Sequence, residues 1–188
     1  MIDIRPYEED DWNAVWKILQ PVFRSGESYA FSPDITEQEA CRVWVDMPSA
    51  TFVSVGETNE ILGTYYIKAN QPALGSHVCN CGYIVAADAR GQGVASDMCE
   101  HSQKEAVSRG FRAMQYNLVV ATNEGAIRLW KRQGFDIIGT LPKAFRHPRR
   151  GFVDALVMYK ELGRPSGRFE LTHPGQGRII TALGGSAR

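Results

Sequence analysis

Charge of one sign is missing from this 188-residue chain: Lys+Arg and Asp+Glu stand at 21 each. No global field therefore draws it to a polyanion, and neither nucleic acid nor a membrane surface is expected as a partner. Long apolar runs are missing too; none approaches the ~18 residues of a membrane-spanning helix. The opening Met1-Ile2-Asp3-Ile4-Arg5-Pro6 has no basic stretch and no apolar signal core, so a cytoplasmic location is expected. Cysteines at CxxC spacing are absent, and Cys41, Cys79, Cys81 and Cys99 read as free thiols used as small apolar residues. His77, Cys79 and Cys81 alternate with period two and would share one strand face. Residues along such a face fan out in a line and do not enclose an ion, and no fourth ligand stands nearby, so no metal is expected.

What is present suits one compact domain with a sizeable core, 44% of residues being hydrophobic. Residues 2–5 read as a short strand. Residues 10–23 read as an amphipathic helix, with Trp12, Val15, Trp16, Leu19 and Phe23 at three- and four-residue spacing. After a loop over 26–34, Thr36 and Glu39 form a capping box for a second helix that ends before Pro48. Residues 51–55 and 61–69 are strands joined by a hairpin, 70–76 a turn, and 77–86 a long strand. The next helix runs over 93–109 with Val94, Ala95, Met98, Cys99 and Ala106 inward and Gly110 at its end. Residues 113–120 form a strand, Asn123 caps a helix reaching Gln133, and 135–140 and 152–159 are two last strands across a proline- and arginine-rich loop. The order β-α-α-β-β-β-α-β-α-β-β implies an α/β sandwich on one mixed sheet. Residues 163–188 hold six glycines and little periodicity and read as a loose tail beyond a domain of residues 1–162.

The sharpest local signal is Arg90-Gly91-Gln92-Gly93-Val94-Ala95, between a strand and a helix. Glycines allow positive φ and close approach of a ligand to the main chain. The helix start adds unpaired N–H groups and the positive end of its dipole, an anion site suited to a pyrophosphate. Two glycines in such a turn also occur for structural reasons alone. The loop is neither a P-loop, lacking Gly-Lys-Ser/Thr, nor a dinucleotide fingerprint, lacking the third glycine.

Taken together, the pattern resembles the GNAT superfamily of N-acetyltransferases. Arg90-x-x-Gly93-x-Ala95 matches that family's pyrophosphate motif. Asn123-x-x-Ala126-x-x-Leu129-Trp130-x-x-x-Gly134-Phe135 resembles its second signature, on the helix after the next strand. The resemblance spans about residues 2–162 in element order. It implies an acetyl-CoA-dependent enzyme whose central strands, here 77–86 and 113–120, splay apart. The pantetheine arm would then pair with backbone around Val85, and an acceptor amine would enter over residues 24–34. Cofactor residues on this reading are Val85, Arg90, Gly91, Gln92, Gly93, Val94, Ala95, Asn123 and Trp130. The family often carries Tyr at the place of Trp130 as the acid for the leaving thiolate; an indole N–H cannot serve, so Trp130 packs instead. A homodimer is expected from family habit.

A narrower resemblance, to the fungal azetidine-2-carboxylate acetyltransferase-like subgroup, rests on residues 70–80, Asn117 and Gly151-Phe-Val-Asp-Ala155. It implies that Asn80 and Asn117 face the substrate or the oxyanion. Asn is uncommon within strands, which agrees with a polar role, although either residue could satisfy a bulge. Glu27 is a candidate base or amine anchor, and an exposed loop carboxylate is the plain alternative. Tyr29, Tyr65 and Tyr66 are pocket or packing residues, and Arg146-His147-Pro148-Arg149-Arg150 is a basic cluster that could attract an acidic substrate or the cofactor's phosphates, a solvated loop being the plain reading. Three functions compete: acetylation of a small, amino-acid-like amine in an enclosed pocket, acetylation of a peptide in an open groove, and a non-catalytic acyl-CoA-binding module.

Overall fold

The computed structural model describes residues 2–163. Strand β1 (Asp3–Pro6) leads through a 3-10 turn to helix α1 (Trp12–Ser25), then to helix α2 (Glu37–Cys41), which continues as a π turn over Arg42–Asp46. Strands β2 (Ala50–Val55), β3 (Ile61–Ala69) and β4 (Val78–Val85) follow. Helix α3 (Val94–Ser108), strand β5 (Ala113–Val120), helix α4 (Glu124–Arg132) and strands β6 (Asp136–His147) and β7 (Gly151–Glu161) complete the order. The expected capping box is formed: Glu39 N–H donates to Thr36 Oγ1 at 3.2 Å, and Thr36 N–H to Glu39 Oε2 at 2.8 Å.

The seven strands lie in the order β1-β2-β3-β4-β5-β7-β6. Alternation along the strands feeds two cores, one on each face, since successive side chains point to opposite sides. Phe52, Tyr65, Ile67 and Cys79 meet Val94, Met98 and Cys99 of α3 and Trp130 of α4. Val53, Tyr66 and Ile84 meet Val15, Leu19 and Phe23 of α1 and Trp44 after α2. The loop expected over 141–151 is largely strand. β6 passes through Pro142 on bulges, with Lys143 at φ 53° and its N–H held by Asp154 at 2.9 Å, and only residues 148–150 turn. As an edge strand, β6 tolerates the missing proline N–H. The expected tail begins at Gly163, and residues 164–188 lie outside the described residues.

The site depends on where two parallel strands part. β4 and β5 pair only at Val78↔Ala113 and Cys79↔Met114. Beyond that point β5 stays with β7, with a register shift between Tyr116 and Val119 that leaves Asn117 and Leu118 in a bulge. Bulges bend the strand that carries them, and here the bend opens a gap between the two central strands.

Candidate functional site

The gap opens into a cavity of about 930 Å³, lined from β4 by Asn80 to Val85 and from β5 by Tyr116 to Val120. Its other walls bring together Glu27 and Tyr29 of the α1–α2 loop, Asn123 and Trp130 of α4, Arg90, and the β6–β7 tip. Main-chain direction along β4 can be read from its partners. His77 C=O accepts from Arg112 N–H, on the β5 side, whereas Val78 C=O accepts from Asn70 N–H, on the β3 side. Strand alternation therefore turns the N–H and C=O groups of Cys81, Tyr83 and Val85 into the gap.

At one end stands the glycine loop. Gly91 and Gly93 have φ of 79° and 91°, and open space lies where a Cβ would be at either residue. Among the described residues, no protein group accepts from the amides of Gly91, Gln92, Gly93, Val94 or Ala95. Gln92 Nε2 donates to Asp88 C=O at 2.8 Å and so shapes the loop from its side chain. Amides without a protein acceptor, next to the N-terminus of a 15-residue helix, have the character of an anion site.

Asn80 is buried and Asn117 exposed, and both line the cavity. Asn80 Nδ2 donates to the C=O of Gln115 at 2.8 Å, across the point where the ladder ends. It thereby satisfies a carbonyl on the parted strand. Asn117 Nδ2 donates to Asn70 Oδ1 at 2.6 Å, and its Oδ1 accepts from Gln115 Nε2 at 2.8 Å. Each amide nitrogen keeps a second hydrogen beyond these bonds. Asn123 caps α4, accepting from Ala126 N–H at 3.1 Å, and lines the cavity as well.

Trp130 is buried between Tyr83 and Tyr116, each ring centroid 5.0 Å away. Ser102 Oγ donates to Cys99 C=O, so it accepts from Tyr83 Oη at 2.7 Å, and Tyr83 Oη in turn lies 3.1 Å from Tyr116 Oη. Burial also pushes both phenols well above their usual range. Tyr29 Oη donates to the gap-facing C=O of Tyr83 at 2.8 Å, Tyr66 also lines the cavity, and Tyr65 packs on the opposite face against α3.

The three arginines of the basic segment are exposed, as expected, but only residues 148–150 turn. Arg146 and His147 belong to β6, and His147 is buried. Its Nδ1 accepts from Arg149 N–H at 3.2 Å. Arg149 Nη2 reaches Glu27 Oε1 at 2.5 Å, tying the β6–β7 tip to the α1–α2 loop across the cavity. The sequence offered His147 only as one member of a basic cluster, and nothing local set it apart from the arginines around it. His77 sits outside β4, exposed, with Nδ1 3.2 Å from Leu74 C=O, so it does not share a strand face with Cys79 and Cys81.

Comparison with known proteins converges on one family. The profile of the acetyltransferase (GNAT) family matches residues 12–135. The N-acetyltransferase aca1 of Schizosaccharomyces pombe is 35% identical over 111 residues, 58% of this chain and 53% of that protein. The chain thus spans about half the length of the curated relative it matches. A GCN5-related N-acetyltransferase from Kribbella flavida shares 38% identity, with a TM-score of 0.82 over 86% of this chain and 98% of its own. A phosphinothricin acetyltransferase from Sinorhizobium meliloti, solved in complex with AcCoA, is alike in fold alone: 17% identity, TM-score 0.77, 91% of this chain and 97% of that one.

Proposed function

Since the chain belongs to the GNAT acetyltransferase family, we propose that it moves an acetyl group from acetyl-CoA to the amine of a small molecule. The observation that carries the small-molecule reading is the Glu27–Arg149 ion pair. With Pro148 lying near Gly26, it bridges the two walls over the acceptor side, which favours an enclosed pocket over a peptide groove.

The residues fit the cofactor. The unpartnered amides of 91–95, with open space where a Cβ would stand at Gly91 and Gly93, suit its pyrophosphate, with Arg90 and Gln92 beside them. The gap-facing N–H and C=O groups of Tyr83 and Val85 suit an amide-bearing arm that completes the ladder β5 abandons. Asn123 and Trp130 close the α4 side of that slot. When bound, acetyl-CoA supplies the acyl group as an activated thioester. Gap-facing N–H groups and the spare hydrogens of Asn80 and Asn117 would donate to the carbonyl oxygen as negative charge develops on it. Glu27, paired with Arg149 at the cavity wall, anchors the incoming nitrogen through its carboxylate. An amine with a pKa of about 10 arrives protonated at pH 7, and its proton leaves through water or Glu27. The thiolate departs without a protein acid, which an ordinary thiol pKa of roughly 8.5 permits near neutrality.

One observation favours a second reading, a module that binds acyl-CoA without turnover: Trp130 is no acid, and the hydroxyls of Tyr83 and Tyr116 are engaged among themselves and with Ser102. Thiol release from acetyl-CoA with a panel of amines separates the two. Turnover with a small amine supports the enzyme; acetyl-CoA binding with no turnover on any acceptor supports the module. The exposed Ile137, Ile138 and Leu141 on edge strand β6 support a homodimer as the assembly. Sedimentation of wild type beside Ile138→Glu tests that reading.

A further inference from the structure

Only the nitrogen end of a side-chain amide can donate to developing negative charge, so an Asn that serves an acyl carbonyl must be held the right way round. Its oxygen and nitrogen are nearly equal in size, and packing alone does not choose between them. Asn117 is exposed in the β5 bulge, beyond the point where β5 pairs with β4. Its amide is nevertheless held at both ends. Gln115 Nε2 donates to Asn117 Oδ1 at 2.8 Å, and Asn117 Nδ2 donates to Asn70 Oδ1 at 2.6 Å. Reversing Asn117 alone would set nitrogen against nitrogen at Gln115 and oxygen against oxygen at Asn70. Both partners stand on anchored backbone. Gln115 pairs with Tyr159 of β7, and its C=O accepts from Asn80 Nδ2 at 2.8 Å. Asn70 N–H donates to Val78 C=O at 2.8 Å, where the turn between β3 and β4 begins. Asn117 lines the cavity, whereas neither Asn70 nor Gln115 does so among the described residues.

We propose that Asn70 and Gln115 are positioning residues for acetyl transfer. From outside the cavity they fix the orientation of the Asn117 amide and leave its second Nδ2 hydrogen free for the thioester carbonyl oxygen. The inference rests on the acetyl-transfer reading and extends it to two side chains that touch neither substrate.

The test uses the full chain, acetyl-CoA, and a panel of primary and secondary amines as acceptors. It reads kcat, the KM for acetyl-CoA, the urea midpoint and the side-chain amide NMR signals. Asn70→Ala is expected to lower kcat about fivefold, the scale of one ordinary hydrogen bond, with the KM and the urea midpoint unchanged. Asn70→Asp keeps an oxygen acceptor in place and is expected to lie closer to wild type. Gln115→Glu keeps the size of the side chain but exchanges its donor for a carboxylate, which draws the Asn117 nitrogen toward itself. It is expected to lower kcat as far as Asn117→Ala does. In an Asn117→Ala background neither change has a further effect beyond about twofold. Wild-type kcat in Asn70→Ala and Gln115→Glu overturns the pair. So does an equal loss with and without the Asn117 side chain, or a loss confined to the KM or the urea midpoint. Where no amine turns over, the Asn117 Nδ2 signals decide, identified by their disappearance in Asn117→Ala. A shift on adding acetyl-CoA that both variants abolish keeps the orienting pair and sinks the enzymatic reading. No shift, or one that the variants leave intact, overturns the pair.

Discussion

At Gly93 the main chain turns with φ 91° and leaves its amide among four others that no described residue accepts from. A carboxylate there would meet bound phosphate and cancel the helix dipole. Gly93→Glu is therefore expected to cost at least about a hundredfold in acetyl-CoA affinity, roughly 2.7 kcal/mol; calorimetric affinity near wild type would remove the loop from the cofactor site. The two asparagines are predicted to behave differently. Asn80→Ala strips the Gln115 carbonyl of its donor and is expected to lower stability by about 1 kcal/mol in urea unfolding. Asn117→Ala, at an exposed position, is expected to change stability by less than about 0.5 kcal/mol while lowering kcat more than acetyl-CoA affinity. An unaltered kcat would take Asn117 out of the chemistry. These residue types in these places were readable from the chain, because glycines before a helix and asparagines inside strands are locally anomalous. That Asn80 spends one N–H bridging β4 to the Gln115 carbonyl where the ladder ends was not readable, since its partner is 35 residues away.

Between α3 and β3, His101 Nδ1 sits 2.6 Å from Tyr65 Oη, and burial lowers the ring's pKa below its ordinary 6.5. The unfolded ring therefore takes up its proton at higher pH than the folded one. Stability from the neutral ring is full above about pH 6.5 and falls as pH drops below that value. His101→Gln is expected to show a smaller stability loss between pH 7 and pH 5 in chemical denaturation; an identical loss would exclude this ring as its source. Elements with strong periodicity were legible to the residue, as with Ile61–Ala69 and Ala113–Val120. β6 was not, because Pro142 and the arginines carry loop statistics while bulges and the edge position accommodate them. The inward set of α3 shifted as well: Ser102 is fully buried and Ala95 only half, Ser102 being admitted by its bonds to Tyr83 and Cys99.

For the molecule as a whole, the unfinished β4–β5 ladder is the defining feature. A ligand that completes it should stabilise the fold, and at a hundred times its dissociation constant linkage gives about 2.7 kcal/mol, a melting shift of roughly 5–10 °C. Hydrogen exchange should slow at the amides of Cys81, Tyr83 and Val85 when acetyl-CoA is added. Protection confined to other strands would mean that the gap is not the cofactor slot. The sequence by itself determined the order of elements, the capping residues, the glycine loop and the family, because helix and strand periods, turn chemistry and motif spacing are local. The tertiary structure alone decided that the β6–β7 tip reaches back to Glu27, burying His147 in the cavity wall and leaving Arg150 beside it. Such a meeting depends on the bulges of two long strands and the closure of a loop more than a hundred residues earlier, and no spacing within the chain encodes those distances.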